Sequence, residues 1–191
     1  MKQQGKFIII DSFKDLLNQK SIDKITVKDI CAQGGVNRQT FYYYFKDIMD
    51  ILSFTIFKEL SVEIAQNRTF ETWEEGFIAT MNYMKKNSKM ILHIYNSSYW
   101  DEAKTYFVDF SNNLLYNVVK ECVNSMGVKL QDKNKVFIVN FYRHIFNGLM
   151  LDWVSEGMKE EPEIILRKLL LMITGSIPRS VTAFAEYEIK E

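Results

Sequence analysis

The residues best suited to chemistry form one run, Asn37 to Tyr44, which reads N-R-Q-T-F-Y-Y-Y. An arginine such as Arg38 can donate two hydrogen bonds to O6 and N7 of guanine, and a glutamine such as Gln39 can pair with N6 and N7 of adenine. The rings of Tyr43 and Tyr44 can stack on sugars or touch thymine methyl groups. The combination indicates a surface that contacts double-stranded DNA.

The sequence before this run predicts a short helix that ends in a tight turn. Thr26 can cap the helix, and Asp29 three residues later can complete a capping box. Gly34 and Gly35 predict the end of the helix, because glycine readily adopts the positive φ that such a turn needs.

Asn37 predicts the start of a second short helix, because its side chain can accept a hydrogen bond from a backbone N–H of the first turn. Phe41 and Phe45, four residues apart, are expected to face the core. Two short helices joined by a glycine turn, with hydrogen-bonding side chains at the start of the second, are typical of a DNA-reading helix-turn-helix.

The segment from about residue 7 to residue 52 resembles the DNA-binding domain of the TetR/AcrR family of bacterial transcriptional regulators. Family members usually carry a lysine at the position of Ile48, and Lys46 can take over that phosphate contact. The ordered combination of shared residues is specific. The shared residues are Thr26-Val27, Asp29-Ile30, Gly35-Val36, Thr40-Phe41-Tyr42 and Tyr44-Phe45, and Phe13, Leu16, Leu17 and Ile22 fit the first helix of the family.

The resemblance implies that Thr40 and Tyr42 hold phosphates and so fix the position of the second helix on DNA. Lys2 and Lys6 can add charge, and one of Tyr43 and Tyr44 can instead pack against the first helix. The alternative is that all these side chains form an ordinary solvated face. The expected DNA contacts are Thr26, Lys28, Asn37, Arg38, Gln39, Thr40, Tyr42, Tyr43, Tyr44 and Lys46.

The composition predicts an all-α protein with a sizeable core. The 191 residues are 47% hydrophobic, contain only 2 Pro and 8 Gly, and repeat apolar residues with a helical period. We expect an N-terminal three-helix DNA-binding head, residues 1–47, followed by a larger helical ligand-binding and dimerisation body, residues 48–191.

Local patterns predict where three of the helices begin and end. The first helix is expected over about residues 6–18, and the fourth from Ile48 to about Gln66, with a break over 67–69. The ninth is expected from Pro162 to about Ser176, with Pro178 ending or kinking it and at most a short helix after it.

Charge, cysteine spacing and hydropathy limit which other kinds of protein this chain could be. Residues 1–50 carry eight Lys/Arg against six Asp/Glu and the remainder 16 against 18, so the charge asymmetry is mild. No apolar stretch approaches the ~18 residues of a membrane span, and we expect a cytoplasmic protein without a signal peptide.

Cys31 and Cys122 have no metal-ligand spacing and are expected to be buried reduced thiols, with a redox sensor as the alternative. No metal or cofactor is predicted.

Aromatic residues are concentrated between residues 73 and 146, and the resemblance implies a small-molecule cavity in this part of the chain. Aromatic walls with a few polar tips suit an apolar or aromatic ligand. The alternative is that these side chains are core, with His93 and His144 as partnered helix residues and not metal ligands. The expected lining residues are Tyr83, His93, Trp100, Phe107, Phe110, Phe141 and Tyr142.

The last two long helices predict a dimer interface. Residues 164–173 are apolar nearly all round apart from Arg167 and Lys168, and such a helix must be covered on more than one side. The resemblance implies a two-fold four-helix bundle, and a monomer with an internal ninth helix is the alternative. The expected interface residues are Phe146, Met150, Trp153, Ile165, Leu169 and Ile173.

The residues and the resemblance together predict a TetR-type regulator. The expected protein is a ligand-responsive repressor that binds a palindromic operator as a homodimer and releases it when a small-molecule effector shifts the fourth helix. The alternatives are a transcriptional activator and a regulator controlled by a protein partner. A helical enzyme is a remote alternative, because the sequence shows no nucleophile triad, phosphate loop or zinc spacing.

Overall fold

The structure, a computed structural model, describes residues 2–65 and 69–190, with side chains from Gln4 onward. Within these residues the chain forms ten α-helices, one 3₁₀ turn (Ile22–Lys24) and no β-strand, which confirms the all-α prediction. Gln66, the predicted end of the fourth helix, and Asn67, in the predicted break, lie outside the described residues. The helices are α1 (Lys2–Gln19), α2 (Val27–Gly34), α3 (Arg38–Tyr44), α4 (Ile48–Glu63), α5 (Trp73–Lys86), α6 (Ser88–Tyr95), α7 (Trp100–Ser125), α8 (Asp132–Ser155), α9 (Pro162–Ile173) and α10 (Ser176–Lys190).

The C-terminal helices differ from the prediction. α9 ends at Ile173, and Gly175 turns the chain with a φ of +72°. Pro178 lies in the first turn of α10, where a missing N–H removes no intrahelical hydrogen bond. The prediction that Pro178 ends or kinks the ninth helix is therefore wrong, and α10 is a full helix of 15 residues.

The chain divides into two compact units. The first contains the residues up to Ser61 together with Lys86–Phe107, and the second contains Val62–Lys85 together with the residues from Val108 onward. The first unit therefore includes α6 in addition to α1, α2 and α3. It is larger than the predicted DNA-binding domain of residues 1–47, which stays a prediction about function.

One apolar core holds the first unit together. Met90 and Ile94 of α6 belong to this core, and Tyr99 and Trp100 pack against it. Burying one side chain of this size stabilises a protein by about 1.5–3 kcal/mol, so α6 contributes to holding the N-terminal helices in place. The fully buried members from the N-terminal part include Ile9, Phe13, Leu17, Ile22, Ile30, Phe41 and Ile51.

The second unit has its own core and polar ties at its ends. Met81, Val119 and Val154 are fully buried in it. Glu188 of α10 accepts hydrogen bonds from the backbone N–H of Gln131, at 2.9 Å, and from Nδ2 of Asn134, at 2.5 Å. These bonds fix α10 to the start of α8.

The two cysteines confirm the prediction of buried free thiols. Cys31 lies in the first unit and Cys122 in the second, and neither forms a disulfide. Burial raises the pKa of both thiols, so neither is activated as a nucleophile at neutral pH. Within the part of the chain that the structure describes, no helix is both long and apolar enough to cross a membrane, and no group of His, Cys, Asp and Glu side chains could hold a metal ion.

Candidate nucleic-acid interface

α2 begins with the predicted capping box. Thr26 Oγ1 accepts a hydrogen bond from the N–H of Asp29 at 3.2 Å, and Asp29 Oδ2 accepts one from the N–H of Thr26 at 3.0 Å. These hydrogen bonds satisfy donors that a helix N-terminus otherwise leaves free. Gly35 ends the helix with a φ of +62°, as predicted.

Gly34 has a different role from the predicted one, because it is the last helical residue of α2 and not a positive-φ position. A Cβ at this position would lie 2.7 Å from Oγ of Ser12 and 2.9 Å from Cγ2 of Ile8, both on α1. Such distances are shorter than van der Waals contact. Gly34 therefore lets α2 approach α1 closely, which sets the position of the helix-turn-helix on the core.

α3 begins at its predicted cap. Asn37 Oδ1 accepts hydrogen bonds from the N–H of Thr40 at 2.8 Å and from the hydroxyl of Thr40 at 3.0 Å. The Thr40 hydroxyl was expected to hold a phosphate, but in the structure it donates to Asn37. Thr40 is also half-buried. Both residues shape the start of α3 in the structure.

One face of α3 is exposed and the other is buried. Phe41 and Phe45 lie in the core with exposures of 0% and 2%, as predicted, whereas Tyr42 and Tyr43 are 58% and 66% exposed. Arg38 and Gln39 are exposed as well. α3 therefore presents a guanidinium, an amide and two phenol groups to the solvent.

Tyr44 is the tyrosine that turns towards α1. It is half-buried, and a Cβ on Gly5 of α1 would lie 3.5 Å from its Cε2. Its ring also contacts that of Tyr43 edge-on, with centroids 4.7 Å apart. Tyr44 thus connects α3 to the first turns of α1, and its expected role as a DNA contact is less favoured than those of Tyr42 and Tyr43.

The expected charge contacts lie in different settings. Thr26, Lys28 and Lys46 are exposed, while the ammonium of Lys6 lies over the Phe54 ring, 3.6 Å from its centroid. The side chain of Lys2 lies outside the described residues. Ile48, at the position where the resemblance implies a lysine, is a buried core residue.

The start of α4 carries its own caps. Asp47 Oδ1 accepts from the N–H of Asp50 at 2.9 Å, and Asp50 Oδ2 accepts from the N–H of Lys46 at 2.8 Å. The two bonds fix the backbone of the segment that joins α3 to α4. The side chain of Lys46 stays in the solvent beside the C-terminal end of α3.

Two polar contacts join the N-terminal helices to α6 and the segment after it, and we call them the α6 joint. Asp23 Oδ1, in the 3₁₀ turn before α2, accepts from Oγ of Ser98 at 2.6 Å and from its N–H at 3.1 Å. His93 Nδ1 lies 2.6 Å from the carbonyl oxygen of Leu17. Sequence reasoning missed this joint, because nothing in the local pattern relates residue 23 to residue 98.

The α6 joint also affects ionisation. The hydrogen bond from the Ser98 hydroxyl is the main reason why the pKa of the Asp23 carboxyl lies below its ordinary value. The joint thus holds a charged carboxylate at the entrance to the helix-turn-helix. It also gives His93 a structural partner, in place of the pocket contact expected from the sequence.

The residues predicted to line one cavity are spread over both units. His93, Trp100 and Phe107 belong to the first unit, whereas Tyr83, Phe110, Phe141 and Tyr142 belong to the second. Phe141 is 56% exposed, so it is a surface residue. Tyr142 is buried, and its hydroxyl donates to Oγ of Ser176 at 2.8 Å. Which of the seven residues line a cavity stays a prediction.

The predicted dimer residues also need correction, because all six are buried within the single chain. Trp153, Ile165, Leu169 and Ile173 form the floor of a groove of about 840 Å³ between α8 and α9, whereas Phe146 and Met150 lie in the core of the second unit. The periodicity therefore selected the inward faces of α8 and α9, and a dimer interface on these helices stays a prediction. The large apolar side chains exposed on α8 and α9 are Val136, Phe137, Phe141, Leu149, Ile164, Leu171 and Met172.

Comparison with known proteins gives two family matches. Residues 9–53 match the family described as bacterial regulatory proteins, tetR family. Residues 71–175 match the family described as transcriptional regulator C-terminal region. Together the two matches cover the helix-turn-helix and most of the second unit.

The individual proteins that resemble this chain are also named as activators or regulators. The HTH-type dhaKLM operon transcriptional activator DhaS of Lactococcus lactis subsp. lactis (strain IL1403) is 25% identical over 134 residues, which are 70% of this chain and 71% of that protein. A solved structure of a dihydroxyacetone kinase operon activator DhaS has a TM-score of 0.69 at 22% identity, covering 95% of this chain and 98% of that one. The fatty acid degradation regulator FadR from Bacillus halodurans has a TM-score of 0.54 at 15% identity, covering 87% of this chain and 97% of that one. The two structural matches support the fold.

Proposed function

Because the chain belongs to the tetR family of bacterial regulatory proteins, we propose that it regulates transcription by binding an operator through the exposed face of α3. The observation that carries the proposal is the joint exposure of Arg38, Gln39, Tyr42 and Tyr43 on a helix whose opposite face is buried. Side chains of these types read base edges and hold phosphates in a major groove.

The exposed residues divide into two roles. Arg38 and Gln39 are the readers of base edges, because their side chains can form paired hydrogen bonds with guanine and adenine. Tyr42, Tyr43 and Lys46 contact the backbone, together with Lys28 and Thr26 at the start of α2. Asn37, Thr40 and Tyr44 act chiefly by fixing the orientation of α3.

The operator-bound form is a two-fold dimer. Phe137 and Phe141 of α8 and Leu171 and Met172 of α9 are large apolar side chains exposed in the single chain. Covering such area with a second copy contributes about 25 cal/mol per Å². A two-fold axis would place two α3 helices in successive major grooves about 34–36 Å apart, which explains why a palindromic operator is expected.

The DNA affinity of this dimer is set by a small-molecule effector bound in the second unit. Moving a regulator from mostly bound to mostly free needs a difference of about 5.5 kcal/mol in effector affinity between the two states. Control by a protein partner is the competing possibility. A partner would be expected to cover exposed apolar surface, whereas a small molecule would contact polar groups inside the unit.

The direction of regulation has two candidates. The sequence resemblance favours a repressor that leaves DNA when the effector binds. The relative in L. lactis is named as an operon activator, which favours activation as the second candidate. Deleting the gene would raise the expression of an operator-linked reporter if the protein represses, and would lower it if the protein activates.

Operator binding is tested with the purified chain and the DNA that flanks its own gene, by fluorescence anisotropy across a salt series. We expect saturable, sequence-selective binding that Arg38→Ala and Tyr42→Ala weaken. Arg179→Ala, at an exposed arginine of α10, is the control and should bind like the wild type. Equal affinity for random DNA, or binding that neither α3 variant changes, would contradict the proposal.

A further inference from the structure

One flank of α8 carries polar side chains beside its buried apolar residues. Asn140, Arg143 and Asn147 are spaced three and four residues apart, so they form a single stripe along the helix. Asn140 and Arg143 are half-buried and Asn147 is 7% exposed. Polar groups at such positions need partners, because water is largely excluded from them.

The guanidinium of Arg143 is only partly satisfied. Its Nη2 donates to Oδ1 of Asn140 at 3.1 Å, whereas its Nε is buried and has no hydrogen-bond partner within the described part of the chain. A buried donor without an acceptor destabilises the fold, because its lost hydrogen bonds to water are not replaced. In addition, no carboxylate among the described residues forms an ion pair with this arginine.

Asn147 repeats the pattern one turn further on. Its side chain is almost completely buried, and none of the hydrogen bonds found among residues 4–65 and 69–190 involves its amide. Most buried side-chain polar groups in proteins have a partner. Among the described residues, the fold therefore leaves the Asn147 amide unbonded as well, although this amide, unlike Nε of Arg143, keeps some contact with solvent.

An aromatic cluster lies on the adjoining side of α8. Phe146, which lies between Arg143 and Asn147 in sequence, contacts the rings of Trp73 and Phe77 on α5, with centroid distances of 5.5 Å and 5.4 Å. Aromatic side chains beside a few polar donors are typical of a site for a small organic ligand.

We propose that the stripe of Asn140, Arg143 and Asn147 binds the oxyanion of a small organic molecule, a carboxylate or a phosphate ester. The proposal deepens the effector site of the proposed function and rests on it for its effect on DNA. Nε and Nη2 form one edge of the planar guanidinium, and a carboxylate or phosphate can accept from both in parallel. On binding, Nη2 donates to the oxyanion instead of to Asn140, and Nε donates to the same oxyanion.

The remaining groups of the stripe complete the recognition. The amide of Asn147 can donate to the same oxyanion or to a second polar atom of the ligand. An aromatic or aliphatic part would lie towards the side of the helix occupied by Phe146. The ligand class is therefore an organic anion with an apolar body, and inorganic phosphate alone should bind more weakly.

The test uses titration calorimetry on the full chain with three probes, namely inorganic phosphate, acetate and benzoate, each at up to about 10 mM so that even millimolar binding is measured. We expect saturable binding that is tightest for benzoate. Arg143→Gln should weaken it about tenfold or more, as expected for the loss of a charge-assisted fork. Arg143→Lys should weaken it as well, because lysine keeps the charge but has no fork.

Arg167→Gln is the matched control, since Arg167 is an exposed arginine of α9 and its loss should leave binding unchanged. Without a probe, Arg143→Gln should retain the wild-type Tm or raise it, which separates loss of a ligand contact from loss of fold. Binding that Arg143→Gln does not change, or no binding of any probe, would overturn the inference. Operator binding is measured on the same samples, so that a failure of the DNA-binding proposal is seen separately.

Discussion

α3 and α8 expose aromatic rings to a similar extent but expose different chemistry. Tyr42 and Tyr43 on α3 are 58% and 66% exposed, and Phe137 and Phe141 on α8 are 62% and 56% exposed. The rings on α3 carry hydroxyls beside an arginine and a glutamine, whereas those on α8 carry none and lie near a groove with an apolar floor. We therefore propose a different partner for each helix, a polar nucleic acid for α3 and an apolar protein surface for α8.

The two helices are also held differently. α3 is only seven residues long, and it depends on its Asn37 cap, on the close approach of α2 to α1 at Gly34, and on a core that includes α6. α8 has 24 residues and is fixed at its start by Glu188. Changes far from the surface should consequently disturb α3 more easily than α8.

The largest effect is expected when charge is placed on the apolar face of α8, which is proposed as the dimer interface. The double substitution Phe137→Asp and Phe141→Asp should give a monomer, and operator affinity should fall by more than about 100-fold because one head alone loses the second half-site. Light scattering measures the mass, and circular dichroism checks the fold. Lys133→Asp, at an exposed position one turn earlier, should remain a dimer. A dimeric double variant would show that the interface lies elsewhere.

Base reading by α3 is tested with two substitutions that each remove a charge. Arg38 is expected to contact base edges, whereas Lys46 is expected to contact only the DNA backbone. Arg38→Gln should cost about 1–3 kcal/mol and relax preference at one base pair. Lys46→Gln should weaken binding to every sequence alike and change the salt slope by about 0.9. Affinities for a set of single-base operator variants measure both effects. A uniform loss from Arg38→Gln would place that residue on the backbone instead.

The close approach of α2 to α1 is tested by adding one methyl group. Gly34→Ala should lower the free energy of unfolding by about 1–3 kcal/mol, since overpacking forces side chains and backbone apart. Gln33→Ala, at an exposed neighbour, should stay within about 0.5 kcal/mol of the wild type. Urea unfolding measures both. An unchanged midpoint for Gly34→Ala would mean that Ser12 and Ile8 yield without cost.

The hydroxyls themselves make a smaller contribution. Tyr42→Phe and Tyr43→Phe keep the rings and should each weaken operator binding by about 0.5–1.5 kcal/mol, the ordinary net value of one hydrogen bond. Tyr106→Phe removes a hydroxyl from an exposed ring of α7 that belongs to none of the proposed sites, and it should leave operator binding unchanged. If the two α3 variants bind like the wild type, the rings act by contact and not through their hydroxyls.

The smallest expected effect concerns Asp23 and pH. The pKa of its carboxyl is lowered in the folded protein, mainly by the Ser98 hydroxyl. The stability gained is present above the unfolded pKa and is lost as pH falls through the lower folded pKa. The difference in Tm between the wild type and Asp23→Asn should therefore persist at neutral pH and disappear in strong acid. A difference that does not change with pH would mean that the charge of Asp23 has no part in the joint.

Local patterns predicted the helix-turn-helix well because its determinants lie close together in sequence. The capping box at Thr26, the cap at Asn37, the turn at Gly35 and the buried pair Phe41 and Phe45 each depend on residues within a few positions of one another. Contacts between distant residues were not predictable in this way. The α6 joint pairs residue 23 with residue 98, and the role of Gly34 depends on α1.

The body shows a second limit of sequence reasoning. A helix such as α9 that is apolar on several faces does not reveal which face is inward, so Ile165, Leu169 and Ile173 were predicted at an interface although they are buried in the chain itself. The aromatic residues expected around one cavity are divided between two units, a division that local sequence patterns do not reveal. Arg143 and Asn147 were not singled out from the sequence, because their burial and missing partners are visible only in the fold.

Sequence reading by the exposed face of α3 is measured by the ratio of operator affinity to random-DNA affinity. The ratio is measured at fixed salt for the wild type and for Arg38→Gln, with Arg179→Gln as the control. The account predicts a ratio of at least about 1,000 for the wild type and the control, and a clearly smaller ratio for Arg38→Gln with nearly unchanged random-DNA binding. A wild-type ratio near one, or a ratio that Arg38→Gln leaves intact, would contradict it.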